Sequence, residues 1–135
     1  MQKPIIGEIW VVAIPIVYFD DNNDINVKIQ KRPVLILDDG RGLIVEEDKR
    51  NYHVFKLTTQ GDPYKRKPIK NWKELGLKAK SYVRIEMPIK IEESQFVSKI
   101  TEISAEQLLE YYQELYKILN IKTLEKLSKK EPLEI

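Results

Sequence analysis

The apolar positions of this chain fall in short runs separated by polar turns, a pattern typical of β-strands. The first run predicts a strand at about Glu8–Ile14. A loop is predicted over Asp20–Asn26, because Asp and Asn side chains hydrogen-bond to nearby backbone groups. The alternate spacing of Asp20, Asn22 and Asp24 resembles a calcium-binding loop, but the glycine and final glutamate of such loops are missing. We therefore predict a metal-free connection between two strands.

The second run, Gln30–Asp39, combines a cationic start with a continuous apolar segment. Its apolar residues predict a buried strand, and Pro33, which cannot donate a backbone hydrogen bond, is expected at the first strand position. Lys31 and Arg32 then lie just before the strand, at the edge of the core. A guanidinium held in this way binds phosphate in a bidentate manner. The alternative is an ordinary surface ion pair between Arg32 and Asp38, Asp39 or Glu46.

The middle of the chain predicts two further strands. Asp39 and Gly40 are a hairpin signal, after which Leu43–Val45 is predicted as the returning strand. Tyr52–Thr58 alternates between two faces and is predicted as the fourth strand. His53 lies among the apolar residues of that strand, so we expect a packed or hydrogen-bonded histidine rather than a catalytic one.

The next segments combine a basic loop with more strands. Gly61–Lys70 carries four cations around one tyrosine, which suits an RNA phosphate and a stacked base, or simply a solvated loop. Asn71–Gly76 is predicted as a short helix, capped by its asparagine and ended by its glycine. Lys80–Ile91 returns to strand, where Pro88 indicates an edge, a bulge or a break. Ser94–Ile103 is the last predicted strand.

A C-terminal helix is the clearest element in the sequence. Ser104 and Gln107 have the spacing of a capping box, which marks its start. Asn120 is expected to end it, and the segment 121–135 either forms a weaker helix or frays. The apolar stripe expected to face the sheet consists of Leu108, Leu109, Tyr112, Leu115, Tyr116 and Leu119. Five or six strands, a short inserted helix and this helix predict a mainly β, α+β fold: a small antiparallel barrel with a helical cover.

Composition limits the class of protein. The 135 residues suit one domain, placed at residues 1–120, with a charged extension at 121–135. Cysteine is absent, which excludes a disulfide framework, and a cytoplasmic location is expected by default. The net charge of +2 is too small for a generally basic nucleic-acid binder, so any such site must be local. The longest apolar run, Ile9–Phe19, is too short to span a membrane, and no membrane association is expected.

Seven short motifs occur in a recognisable order between residue 7 and about residue 117. They are Gly7–Trp10, Lys31–Leu37, Leu57–Gln60, Pro68–Trp72, Gly76–Lys78, Ser81–Arg84 and Lys99–Ser104. In order and spacing the chain resembles the MazF/PemK family of bacterial toxin endoribonucleases. The segment DDNNDINVKIQ between the first two strands is acidic and lacks that family's glycines. The resemblance therefore predicts a class of reaction but no RNA cleavage sequence.

The resemblance implies an SH3-like barrel, a homodimer, and cleavage of single-stranded RNA without metal or cofactor. The 2′-hydroxyl attacks the adjacent phosphate in that family. The arginine before strand 2 and a serine or threonine of the T-x-Q segment are its catalytic pair. Here these positions are Arg32 and Thr58. The residues expected to bind RNA are Lys31, Lys56, Thr59, Gln60, Lys65, Arg66 and Lys67.

The activity of a toxin must be inhibited in the cell that produces it, so we also expect a co-encoded antitoxin. Its disordered acidic segment would fold into a groove lined by Lys31, Lys56 and Arg66 and compete with RNA.

Two other functions fit the same elements. One is a non-catalytic barrel of the MazF or CcdB type that binds a protein or nucleic-acid partner. The other is a peptide reader with an SH3-like or Tudor-like fold, which needs an aromatic cage. The aromatic residues of this chain are dispersed in sequence, which disfavours the peptide reader.

Overall fold

The computed structural model describes residues 3–40, 50–61 and 66–129. Six strands form one antiparallel sheet in the order β4-β5-β3-β2-β1-β6. The elements are β1 Glu8–Phe19, β2 Ile25–Ile36, β3 Asn51–Thr58, β4 Arg66–Pro68, β5 Tyr82–Glu92, a 3-10 turn at Glu93–Gln95, β6 Phe96–Glu102 and α1 Ala105–Lys129. The mainly β fold with a long C-terminal helix is confirmed. Among the described strands the sheet is open at β4 and β6, so closure into a barrel is not observed.

The sheet buries side chains on both faces because it curls strongly. Phe96 of β6 meets Tyr52 of β3 edge to face, with ring centroids 5.2 Å apart, although β1 and β2 lie between these strands in the sheet. Trp10 joins them at 5.8 Å from the Phe96 ring. On the other face, Phe55 and Leu57 form a second cluster that α1 covers. The alternation predicted for the strand at 52–58 is therefore confirmed.

The hairpin of β1 and β2 is longer than predicted. β1 continues to Phe19, and β2 begins at Ile25, inside the predicted loop. The connecting turn is tight because the carboxylate of Asp20 accepts hydrogen bonds from the backbone of residues 22 and 24. Pro33 consequently lies inside β2, not at its first position. It is tolerated there because β3 pairs only with Val34–Ile36, which leaves Pro33 with β1 as its neighbour in the sheet.

The region predicted as a basic loop and a short helix is built differently. Arg66–Pro68 is strand β4, paired with β5, rather than loop. The predicted helix is a single turn. It is closed by hydrogen bonds from Leu77 N to Trp72 O and from Gly76 N to Lys73 O. This is a Schellman motif, and Gly76 adopts the positive φ of 82° that it requires.

Three smaller predictions concern Pro88, His53 and the segment Leu43–Val45. Pro88 lies within β5 beyond the part that β4 pairs, and the β3–β5 register shifts close to it, so the edge and bulge interpretation is confirmed. His53 is hydrogen-bonded as predicted, with Nδ1 2.6 Å from Oδ2 of Asp38. The strand predicted at Leu43–Val45 lies outside the described residues.

Helix α1 starts as predicted but runs further. The Ser104 hydroxyl accepts a hydrogen bond from the backbone N–H of Gln107. The Gln107 side chain, however, donates to the hydroxyl of Tyr111 instead of returning to the cap. The helix does not end at Asn120 but continues to Lys129. An asparagine inside a helix does not by itself end it. No helix in the described ranges is long and apolar enough to cross a membrane.

The buried face of α1 is rotated relative to the predicted stripe. Leu109, Tyr116 and Leu119 are at least half exposed. The residues that contact the sheet cluster are Leu108, Tyr111, Tyr112, Leu115 and Ile118. Tyr111 was missed. It is buried because its hydroxyl has two partners, donating to Pro68 O and accepting from Gln107, and burial raises its pKa to about 12.

Glu8 is the most deeply buried carboxylate described, at 5% exposure, and it joins β1 to β6. It accepts hydrogen bonds from Ile5 N (2.7 Å) and Trp10 Nε1 (3.0 Å), and it pairs with Lys99 Nζ at 2.7 Å. Burial opposes its ionisation, but the hydrogen bonds from Lys99, Trp10 and Ile5 outweigh burial and lower the pKa of Glu8. The charge is therefore stabilised in the folded state.

Replacing Glu8 by Gln should lower the free energy of unfolding by about 1–3 kcal/mol at pH 7, since it removes a charged acceptor from three donors. The folded pKa lies below the ordinary value of 4.5, so the stabilisation is present above that pH and is lost as the pH falls through the folded pKa. Urea unfolding at a series of pH values measures both effects. Glu102→Gln is the control, because Glu102 lies 3.9 Å from Lys99 but is 71% exposed. Equal losses for the two variants would contradict the assignment.

Candidate active site

A cleft of about 500 Å³ opens between the β1–β2 hairpin and the strands β3 and β5. Five of the predicted site residues line it although they come from two strands and the turn that follows β3. These residues are Arg32, Lys56, Thr58, Thr59 and Gln60. None of the described residues that line the cleft is acidic. The structure thus places the predicted catalytic pair, and part of the predicted RNA-binding set, around one cationic space.

Arg32 reaches the cleft because of its position in β2. Successive side chains of a strand point to opposite faces, and Arg32 shares its face with Gln30 and Val34. Both Nε and Nη2 of Arg32 donate to Oε1 of Gln30, at 3.2 and 3.0 Å. Since this partner is neutral, the guanidinium keeps its full charge toward the cleft. Of the alternative ion-pair partners of Arg32, Asp38 bonds to His53 instead, and Glu46 lies outside the described residues.

Thr58 is placed at the end of β3 by the turn that follows. Its Oγ1 accepts a hydrogen bond from the backbone N–H of Gln60 at 3.2 Å, which leaves the hydroxyl proton available for donation. The turn then passes so close to Tyr82 that a Cβ on Gly61 would lie 2.8 Å from the tyrosine ring. Only glycine allows this approach. The ring of Tyr82 therefore fixes the path of residues 59–61 beside the cleft.

Arg84 is a cleft residue that the sequence reasoning missed. It lies on β5, and its Nε donates to Oε1 of Glu86 at 3.2 Å. Nε of Arg66 lies 3.5 Å from the same oxygen. Nη1 of Arg66 donates a hydrogen bond to the backbone oxygen of Gln60 at 2.6 Å. One carboxylate is thus shared between two guanidinium groups. The signal was present in the alternation of 80–91, which puts Arg84 and Glu86 on one face, but nothing local shows that this face meets β2.

Three other predicted RNA-binding residues do not line the cleft. Lys31 lies on the opposite face of β2 from Arg32, as strand alternation requires. Lys67 lies 3.7 Å from Glu114 of α1, beside the helix. Arg66 supports the turn at Gln60 from beside the cleft. Lys65 lies outside the described residues.

The cleft combines groups suited to a phosphodiester. Arg32, Lys56 and Arg84 supply positive charge, and neutral hydroxyl and amide groups supply hydrogen bonds. Ile14 and Ile16 of the hairpin form an apolar wall. A nucleic-acid backbone fits the charged side, while a base or ribose fits the apolar side.

No protein-family model matches the chain, and no curated protein matches it. The assignment of a function rests on the motifs and on the geometry of the cleft.

Proposed function

We propose that this chain is the toxin of a type II toxin–antitoxin system, an endoribonuclease of the MazF/PemK type that cleaves single-stranded RNA in the cytoplasm without a metal ion. The observation that carries the proposal is that Arg32 and Thr58, the positions of the implied catalytic pair, line the same cationic cleft. The strong curl of the sheet supports an SH3-like barrel as the finer description of the fold.

The proposed reaction is an internal phosphoester transfer. The ribose 2′-oxygen bonds to the adjacent phosphorus and loses its proton, and the bond from phosphorus to the 5′-oxygen breaks. The leaving 5′-oxygen gains a proton, so the products are a 2′,3′-cyclic phosphate and a 5′-hydroxyl. Negative charge accumulates on the non-bridging oxygens as the phosphorane forms. Donors aimed at those oxygens lower the barrier.

Arg32 fits the role of that donor. Its two bonds to Gln30 orient the guanidinium without neutralising it. Arg84 and Lys56 add charge along the same cleft and position the neighbouring phosphates. Thr58, whose oxygen accepts a hydrogen bond from the Gln60 N–H, donates a hydrogen bond from its hydroxyl to a phosphate oxygen or to the leaving group. A threonine hydroxyl alone is a poor general base at neutral pH, so Thr58 acts as a hydrogen-bond donor and not as the base.

Arg32→Ala should lower kcat/KM on single-stranded RNA by about a hundred- to a thousandfold, because one transition-state donor is lost. Arg32→Lys should restore little, since lysine lacks the planar fork. Thr58→Ala should reduce kcat more than RNA affinity, and Thr58→Ser should retain most activity. The measurement is cleavage in EDTA with analysis of the product ends, which should be 2′,3′-cyclic phosphate and 5′-hydroxyl.

Lys90→Ala is the matched control, because it removes an exposed cation from β5 outside the cleft. It should cleave at close to the parental rate. If folded Arg32→Ala cleaves at that rate too, the site assignment is wrong. If the parental chain binds RNA but yields no cleavage, the non-catalytic binding function takes its place.

Arg84→Ala should weaken RNA binding several-fold and reduce the slope of log K against log salt by roughly one unit, as expected for the loss of one phosphate contact. Lys67→Ala removes a cation that lies against α1 instead of the cleft, so it should leave both quantities unchanged. Fluorescence anisotropy with a labelled oligonucleotide at several salt concentrations measures this. Equal effects of the two substitutions would show that the cleft is not the RNA groove.

An antitoxin would inhibit such a toxin by binding at the same cleft. We expect the protein encoded beside this chain to carry an acidic, disordered segment that inhibits cleavage by competing with RNA. The substitutions Lys56→Ala and Arg84→Ala should then weaken inhibitor and RNA binding in parallel. Competition binding with the acidic segment measures this, and inhibition that leaves RNA binding intact would place the antitoxin elsewhere.

A further inference from the structure

The cleft lies between the edges of two neighbouring strands. Three consecutive residues of β3, namely 56–58, all line it. Since the side chains of a strand alternate between its two faces, consecutive residues line one space only where the backbone edge of the strand borders it. On the other side the cleft is lined by Gln30, Arg32 and Pro33 of β2. The cleft is therefore a gap in the sheet, between β2 and β3.

The register of the two strands places Arg32 directly opposite Thr58 across this gap. The pairs that form are Val34 with Lys56, Leu35 with Phe55, and Ile36 with Val54. In the same register the next two pairs would be Pro33 with Leu57 and Arg32 with Thr58. Neither pair forms, although the structure describes all four residues. The two strands thus stop pairing at the point where the predicted catalytic residues begin.

Neither strand ends at this point. β2 continues to Ile25, paired with β1 along its whole length. β3 continues to Thr58, which pairs with Tyr82 of β5. Both backbones are therefore extended and aligned beyond the last β2–β3 pair, and the cause of the gap must lie in the hydrogen bonding between them.

Pro33 supplies that cause. In an antiparallel pair, only every second residue of a strand bonds to a given neighbour. The N–H of Leu37 donates to the His53 carbonyl at 2.9 Å, so Leu35 and the residue at position 33 are the next in β2 to face β3. Proline has no N–H. The ladder ends at the residue that cannot donate the next bond.

We propose that Pro33 is a positioning residue, which keeps β2 and β3 apart so that Arg32 and Thr58 face each other across an open cleft. An N–H at position 33 would give the Leu57 carbonyl a ladder partner. The pair of Arg32 with Thr58 would follow and narrow the space that a phosphodiester enters. The importance of this space for RNA cleavage rests on the proposed function, whereas the effect of Pro33 on strand pairing does not.

Pro33→Ala tests the proposal, because it adds an N–H without adding bulk. In the free protein the new N–H should be protected from hydrogen exchange, which NMR measures without RNA. Strand pairing then competes with RNA. KM on single-stranded RNA should therefore rise about three- to tenfold, as expected for competition with one backbone hydrogen bond, while kcat stays within about twofold of the parental value.

Pro15→Ala is the matched control. Pro15 is exposed and lies in the same hairpin, but it points away from the cleft that Ile14 and Ile16 line. β6 pairs with β1 only as far as Val12, so an N–H at position 15 meets no strand on that side. This variant should keep the parental KM and kcat.

A backbone ester separates the missing N–H from the rigidity of the proline ring. Lactic acid, incorporated at position 33 by cell-free translation, carries the methyl group of alanine but no N–H. KM should return to within about twofold of the parental value. An unprotected N–H in Pro33→Ala, a parental KM in that variant, or an ester variant that behaves like Pro33→Ala would each overturn the proposal. If the parental chain cleaves no RNA, the ribonuclease assignment fails, and hydrogen exchange at position 33 alone decides whether Pro33 keeps the strands apart.

Discussion

The pairing of β1 with β2, which runs unbroken from Ile9 with Leu35 to Phe19 with Ile25, is the constraint on which the rest of the structure depends. At its root this hairpin is the centre of the sheet, with β3 on one side and β6 on the other. Further out, from Ala13 to Lys31, the two strands pair only with each other. The same two strands therefore contribute the core, one wall of the cleft and an exposed apolar face.

Strand alternation divides the chemistry of β2 between two faces. Gln30 and Arg32 point into the cleft, whereas Ile29 and Lys31 point away from it. A shift of one residue in the pairing would exchange these sets and empty the cleft of its arginine. The buried apolar residues at the end of β2 oppose such a shift, because Leu35 packs in one core cluster and Val34 and Ile36 pack in the other, and a shift would exchange them. Core packing at 34–36 thus sets the direction of Arg32.

The charged groups around the cleft are arranged so that positive charge remains available. Arg32 is oriented by a neutral amide. Arg84 and Arg66 share the single carboxylate of Glu86, so one of the two charges is left uncompensated by that group. Lys67 instead forms an ion pair with Glu114 of α1. A chain of nearly balanced net charge can in this way hold a local cationic site.

The sequence by itself determined the features that depend on residues close to one another along the chain. The alternation of 52–58, the start of α1 after Ser104 and the glycine that ends the turn at 71–76 follow from side-chain period and backbone preference, and the structure agrees with each. The features that it did not determine depend on pairing between distant segments. The segment 20–26 indicates a loop locally, but pairing with β1 holds Ile25 and Asn26 in a strand. The same strand places Lys31 and Arg32 on opposite faces. Arg84 enters the cleft only because the sheet curls and brings β5 toward β2, a contact between segments about fifty residues apart that no local pattern contains.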